Sequence, residues 1–324
     1  MRRSRLAAVV VVLAALLVAN VQAAAPKRSP TQGVVIIETT LAYQGGAAGG
    51  TGIVLTHSGQ VLTNNHVILG AGKITVVVPA AKRRYTAHVV GYDVADDVAL
   101  LKLDRAKNLA TVKLGNSARL RVGQRASAVG NARGAGKLVI TTGRITGLRQ
   151  SVVVDDGNGG TTHLRGLIRT SARLVPGDSG GPLLDAAGRV VGIDSVGTVG
   201  NTFQSSGGYA IPINKAFSLV RLIRAGTATA RVHVGATAFI GVSLAESQNG
   251  LVVGSVVQGS AAEAAGIVEG DVITGFDGRP VATLAALRAA LLAHHPGDSV
   301  TLDYIDPQGN QTTATLVLGE GPPQ

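Results

Sequence analysis

The sequence contains no cysteine and no tryptophan, a single methionine, and only five tyrosines and four phenylalanines in 324 residues. Without cysteine there are no disulfides, no thiolate catalysis and no cysteine-ligated metals. Aromatics are 3% of a chain that is 45% hydrophobic, so its cores must be packed from Val, Ile, Leu and Ala. Stability rests on burial alone, which two domains of ordinary size can supply. No H-E-x-x-H occurs, and His57, His88, His163, His233, His294 and His295 lack carboxylates at metal-ligand spacing. These histidines read as surface residues, and neither a metal nor a cofactor is expected. The run Asp155-Asp156-Gly157-Asn158-Gly159-Gly160 mimics part of a calcium loop but lacks the downstream bidentate Glu, so it reads as a solvated turn. The formal charge is +11, spread over scattered clusters such as Lys82-Arg83-Arg84 and Arg119/Arg121/Arg125. No basic stripe is interleaved with aromatics, so nucleic acid has no stacking platform.

One long apolar run is present. Leu6 to Ala19 follows a basic start (Arg2, Arg3, Arg5) and precedes small residues up to Ala25 and then Pro26. That is the pattern of a secretory signal over residues 1–25. Leu6–Ala25 also reaches the roughly 20 residues of a membrane span, so a retained N-terminal anchor stays open. Either way the rest of the chain is exported, to a secreted, periplasmic or cell-envelope location. From Val34 to about Val199, short β-rich runs alternate with Gly, Asn and Asp, which predicts a barrel or sandwich. A helix is expected from Asn214, read as its N-cap, to Arg224, with Gly226 as its stop. Residues 26–224 therefore form a first domain, 225–235 a linker, and 236–320 a compact α+β unit with short helices at Ala261–Ala265 and Leu284–Ala293.

The strongest local signal is Gly177-Asp178-Ser179-Gly180-Gly181-Pro182-Leu183. A hydroxyl needs a base within hydrogen-bond reach and a third group to orient that base. Ser179 is the candidate nucleophile, and the backbone N–H groups of Gly177 and Ser179 are candidate oxyanion donors. The candidate base is His66, just after the β-run Val61-Leu62-Thr63. The candidate orienting acid is Asp97, at the mouth of the apolar strand Val98–Leu103, with Asp96 as its competitor. An acid there is partly buried, and an imidazole N–H would satisfy it. The chain order His, Asp, Ser on a β-rich chain belongs to the double-β-barrel class.

The segments Gly50-Thr51-Gly52-Ile53-Val54-Leu55, Leu62-Thr63-Asn64-Asn65-His66-Val67, Asp97-Val98-Ala99-Leu100-Leu101-Lys102 and Pro176–Leu183 resemble the trypsin-like proteases of the HtrA (Deg) family. Leu114-Gly115-Asn116-Ser117, Val129-Gly130-Asn131 and Gly208-Tyr209-Ala210-Ile211-Pro212 also match that family. The resemblance covers nearly the whole chain after the leader. It implies a mainly β protein: a chymotrypsin-like double β-barrel with the triad in the cleft, followed by a small α+β PDZ domain. It also implies a serine endopeptidase of protein quality control, acting on unfolded, misfolded or exported proteins and often assembling as a homotrimer. A chaperone-like holdase that binds chains without cleaving them is the alternative.

Two departures stand out. The family usually carries Asn before the serine, whereas this chain has Asp178, and no Ile-Val-Gly-Gly-type N-terminus is present to pair with it. The loop Gln44–Gly50 is short and glycine-rich, with no counterpart to a long regulatory loop. Arg173 stands six residues before the serine, where a trypsin-like pocket would carry Asp, so a preference for basic residues is not supported. Ser195, Val196 and Gly197 match the segment that pairs with substrate backbone. Phe239, Ile240, Gly241 and Val242 resemble the carboxylate-binding loop of a PDZ domain. Leu284 and Leu287, with Ala285 and Ala289, are expected on the opposing helix wall, so peptide C-termini are the expected partners there.

Overall fold

A computed structural model of the chain describes residues 29–43, 45–155, 161–195 and 207–324. The leader at 1–25, Val196, Gly197 and the Asp156–Gly160 run lie outside the described residues.

The first six strands are β1 (Val34–Leu41), β2 (Ala47–Val54), β3 (Gln60–Thr63), β4 (Ala71–Val78), β5 (Arg83–Asp93) and β6 (Val98–Leu103). They pair in the order β5-β4-β1-β2-β3-β6, and β5 pairs β6 again, which closes the ring. The next six are β7 (Arg125–Gly130), β8 (Val139–Asp155), β9 (Thr161–Thr170), β10 (Pro182–Asp185), β11 (Val190–Ser195) and β12 (Gly208–Pro212). They form a second closed barrel, ordered β10-β11-β12-β9-β8-β7. The fold is thus the mainly β, double-barrel architecture expected from the sequence.

The period of two along each strand decides which core a residue enters. In β6, Val98 and Leu100 face the seam between the barrels, whereas Ala99, Leu101 and Leu103 fill the first barrel. In β11, Val190 and Ile193 join the seam and Val191 enters the second barrel, out of strict alternation because the pairing with β10 slips between Gly192 and Val190. Both faces of these strands are dry, which is why they read as continuous apolar runs rather than as alternating ones. The second barrel is filled largely by Ala126, Ala128, Ala172, Ala210 and a few Leu, Ile and Val residues. Small side chains suit so narrow an interior.

Helix α1 (Ile213–Arg224) seals one end of the seam. Ile213, Ala216, Val220 and Ile223 share its buried stripe. Its N-cap is Pro212 rather than Asn214. Asn214 lies inside the first turn, where its Oδ1 accepts from Ser117 N–H at 3.1 Å and its Nδ2 donates to Asn116 Oδ1 at 2.9 Å. The side chain thus fastens a neighbouring loop instead of capping its own helix. The segment after α1 is not wholly a linker. Strand β13 (Val232–Val234) adds to the edge of β5, and Arg231 pairs with Asp96.

The following unit contains β14 (Thr237–Phe239), β15 (Val242–Ser247), β16 (Gly250–Val256), α2 (Ala261–Ala264), β17 (Val272–Phe276), β18 (Arg279–Pro280), α3 (Leu284–Leu291), β19 (Ser299–Ile305), β20 (Gln311–Val317) and β21 (Gly319–Gly321). Its main sheet runs β15-β16-β17-β19-β20, so β15 is an edge strand, and β14 pairs with β21 apart from it. Ser260 and Thr283 cap α2 and α3 by accepting backbone N–H bonds. Phe276, Leu302 and Ile273 anchor its core.

The two units are in contact. Tyr92 is fully buried, and its hydroxyl lies 3.1 Å from Thr237 Oγ1. His233, expected on the surface, is 1% exposed. Its ring nitrogens lie 3.1 Å from Leu292 O and 3.0 Å from Ala236 O, because β13 carries the ring under the end of α3.

Leu100→Ala and Leu101→Ala test the two-faced role of β6. Each removes a fully buried side chain and should lower the unfolding free energy by about 2–5 kcal/mol in urea denaturation. Unchanged midpoints would show that one of these two cores is not packed as described.

Candidate active site

Asp97 sits between β5 and β6 with a positive φ of 54°, a backbone region that Asp tolerates better than most residues. That turn directs its carboxylate away from the strand and toward the loop after β3. Oδ1 accepts the His66 backbone N–H at 3.0 Å, and His66 Nδ1 donates to both oxygens, at 3.0 Å to Oδ1 and 2.8 Å to Oδ2. A carboxylate only accepts, so the proton is on Nδ1 and Nε2 is left basic. Ser195 Oγ, on β11 of the other barrel, donates to Oδ2 at 3.1 Å. Asn64 Nδ2 donates to the Asp97 backbone oxygen at 2.8 Å. The competitor Asp96 is engaged elsewhere, with Lys215 at 2.7 Å and Arg231 at 2.6 Å.

Ser179 is buried on a turn that docks against β2. Thr51 N–H donates to Ser179 O at 2.8 Å, and Thr51 Oγ1 donates to Gly177 O at 2.7 Å. The same hydroxyl accepts Asn131 N–H at 2.9 Å. Gly180 N–H donates to Asp194 O at 2.8 Å, which ties the turn to β11 one residue before Ser195. Gly177 and Gly180 have φ of 95° and 84°, and a Cβ on either would strike a carbonyl oxygen, Asn131 O or Thr51 O. Only glycine fits both constraints. The structure therefore brings His66, Asp97, Ser179, Gly177 and Ser195 to one seam, with Val196 and Gly197 outside the described residues. Thr51, inside the motif Gly50-Thr51-Gly52, fastens the nucleophile turn, a role with no local signature in the sequence. Ser195, expected to act through its backbone, also engages Asp97 through its hydroxyl, a contact that the sequence does not signal. Arg173 is exposed.

The trypsin-like peptidase domain model matches residues 50–193, and the PDZ domain model matches 238–317. The serine protease PepD of Mycobacterium tuberculosis is 33% identical over 319 residues, covering 93% of this chain and 66% of that protein. The periplasmic serine endoprotease DegP of Escherichia coli K12 is 32% identical over 280 residues, covering 83% of this chain and 56% of that protein. A solved structure titled HtrA-type protease AlgW with tripeptide shares 27% identity and a TM-score of 0.54, covering 91% of this chain and 95% of that one. The chain belongs to the HtrA-like serine proteases with a C-terminal PDZ domain. It spans between about half and two thirds of the length of the curated relatives it matches.

In this HtrA-like chain the electrostatics divide the carboxylates into two groups. Burial disfavours the His66 imidazolium, but the charge and hydrogen bonds of Asp97 outweigh it and hold the His66 pKa above its usual value. Behind Ser179 lies a different situation. Asp194 is fully buried, and among the described residues neither of its carboxyl oxygens has a hydrogen-bond partner. Burial, and then the neighbouring Asp178, push its pKa well above the usual carboxylate range. Burial also raises Asp178, opposed by the Val175 N–H that donates to its Oδ2 at 2.9 Å, while Oδ1 has no partner among the described residues. Among the described residues, no Arg pairs with Asp178.

In the PDZ unit, the part-buried Phe239 and Leu284 and the buried Ile240 and Leu287 border a cavity of about 650 Å³, together with Gly241 and Val242. Its helix wall is made by Leu284, Leu287, Arg288 and Leu291. Ala285 and Ala289 are exposed instead, because the buried stripe of α3 runs through the leucines.

Two outcomes follow from this geometry. Ser195→Ala removes a hydrogen bond to the Asp97 carboxylate and should lower kcat/KM about tenfold, since such bonds to charged groups contribute about 1.5–3 kcal/mol; an unchanged value in steady-state kinetics on a peptide substrate would contradict this role. Asp194 has a raised folded pKa, so the folded state binds more protons than the unfolded chain above the ordinary carboxylate range. Stability is then lost as pH rises from about 4 through the folded pKa. Asp194→Asn should raise Tm at neutral pH, with the gain disappearing below about pH 4; a gain that persists in acid would contradict the assignment.

Proposed function

We propose that this chain is a serine endopeptidase that hydrolyses peptide bonds of exported or misfolded proteins through His66, Asp97 and Ser179, with its PDZ unit holding peptide C-termini. The observation that carries the reading is the Asp97 carboxylate, bonded by His66 Nδ1 from one barrel and Ser195 Oγ from the other, beside a glycine-locked turn bearing Ser179.

In this reading Ser179 Oγ attacks the scissile carbonyl carbon while His66 Nε2 takes its proton. Asp97 keeps the imidazole in the needed tautomer and stabilises the imidazolium. The backbone N–H groups of Gly177 and Ser179 receive the oxyanion. His66 then protonates the leaving amine, and water, deprotonated by the same imidazole, releases the acyl group and restores Ser179. Support for a preformed hole comes from the preceding peptide plane. Pro176 O accepts Arg133 N–H at 2.6 Å, so the N–H of Gly177, on the opposite side of a trans peptide, points away from that loop.

Edge strand β15 supports peptide capture by strand addition, with the cavity beside Phe239–Val242 taking an apolar terminal side chain. The periplasmic relatives support an exported or envelope location. The holdase alternative is disfavoured, since non-covalent binding gives no reason to align an acid, an imidazole and a hydroxyl.

A fluorophosphonate probe should label Ser179 in the folded protein, and Ser179→Ala should abolish both labelling and casein cleavage. An unlabelled folded wild type that still suppresses aggregation would favour the holdase reading.

A further inference from the structure

The second barrel has no Glu between Thr111 and Pro212, and two of its aspartates, Asp178 and Asp194, are buried. Its surface is therefore strongly cationic, and the cations gather at one end. Arg125 of β7 stands directly opposite Arg144 of β8, and both side chains are exposed while Ala126 and Ile145 turn into the core. Like charges in that register destabilise a sheet. Arg125, Arg144 and Lys113 border a hollow of about 880 Å³. A second hollow of about 580 Å³, bordered by Arg119 and Arg189, adjoins it at Arg125 and Asp185. The Asp185 carboxylate is already engaged by Arg189 Nε at 2.8 Å. Among the described residues, no carboxylate pairs with Lys113, Arg119, Arg121, Arg125 or Arg144.

An apolar side chain projects among these cations. Val122 is 63% exposed at the tip of the turn Arg121–Gln124. The turn is fastened: Gln124 N–H donates to Arg121 O at 3.3 Å, Gly123 N–H donates to Ile145 O at 2.8 Å, and Arg144 Nη1 donates to Gly123 O at 2.8 Å. Gly123 has a φ of 90°, so the tip depends on glycine. The described chain also begins here. Ser29, Pro30 and Gln32 border the larger hollow, and in sequence only Pro26, Lys27 and Arg28 separate Ser29 from the apolar leader. That stretch reaches about 14 Å at full extension, so a membrane engaged by the leader is close to these arginines.

We propose that the face formed by Lys113, Arg119, Arg121, Val122, Arg125 and Arg144 docks on an anionic phospholipid surface. The guanidinium groups take the lipid phosphates, to which their planar forks are matched, and Val122 enters the headgroup boundary. A soluble polyanion would make no use of the held-out valine. β7 runs from Arg125 at this face to Gly130, which packs against Asp178 beside the nucleophile. A strand span of about 17 Å thus separates the lipid contact from the Ser179 turn and leaves the seam open.

The chain lacks cysteine, so Val122→Cys in the full chain accepts a single environment-sensitive fluorophore. Vesicles of phosphatidylglycerol and phosphatidylcholine should shift its emission to the blue. Vesicles of phosphatidylcholine alone should not, even where the leader holds the chain to both. The same label at Val317→Cys, exposed on β20, should stay unchanged. Arg121→Gln and Arg125→Gln should each weaken the labelled contact about fivefold, the effect of one basic residue at an anionic surface. Arg121→Lys and Arg125→Lys should keep most of it. Without lipid, Arg125→Gln should keep or raise the urea midpoint, since it relieves the pairing with Arg144. A lowered midpoint would mark Arg125 as structural and overturn the proposal. So would a label unmoved by anionic vesicles, or an equal shift on neutral vesicles or at Val317. Inorganic polyphosphate that binds through Arg121 and Arg125 while vesicles leave the label unmoved would also overturn it, assigning the face to a soluble polyanion.

Discussion

The Asp97 carboxylate is the constraint on which the rest of the site depends. It is a nearly buried anion at the seam of two barrels, and such an anion is costly unless donors surround it. Those donors come from both sides. The first barrel supplies the His66 backbone and ring, and the second supplies Ser195 Oγ. Meeting the solvation demand of this one group therefore fixes the imidazole tautomer and holds the barrels in register. The apolar seam formed by Val98, Leu100, Val190 and Ile193 keeps water away from the same place. Lower polarity strengthens each bond to the carboxylate.

Asp178 and Asp194 present the opposite case. Both are buried behind the nucleophile turn, and the structure offers them far fewer donors. Their backbones are nevertheless indispensable to the turn, since Asp194 O and N–H bond Gly180 N–H and Gly181 O. Burial raises the pKa of both carboxyl groups, and the neighbouring Asp178 raises that of Asp194 further. The cost is a stability that falls with rising pH, borne by the element that positions Ser179.

The PDZ unit is attached to this arrangement by more than a linker. β13 joins the edge of β5, Tyr92 meets Thr237, His233 lies under α3, and Gln324 O, after β21, accepts from Asn65 Nδ2 beside His66. The two units therefore meet through a strand pairing and through side chains that bond across the junction.

Much of this was legible in sequence. Alternating patterns, glycine punctuation and the order His66, Asp97, Ser179 are local signals, and they gave the double barrel, the α+β unit and the principal side chains of the site. Gly177 and Gly180 could be recognised because their need for positive φ is a property of the turn itself. Other features had no local signature. The Ser195 hydroxyl bonds Asp97 across 98 residues, and Asn65 bonds Gln324 across 259. Asn214 resembled a helix cap and became a loop fastener because Ser117 and Asn116 lay within its reach. His233 resembled a surface residue and was buried by a strand too short to be noticed. The candidate nucleophile, Ser179, is legible in the sequence because its turn is local. Its support by Thr51, its neighbouring unpaired acids and its link to the PDZ unit were decided by tertiary structure, since each depends on groups that meet only when distant segments close on a shared seam.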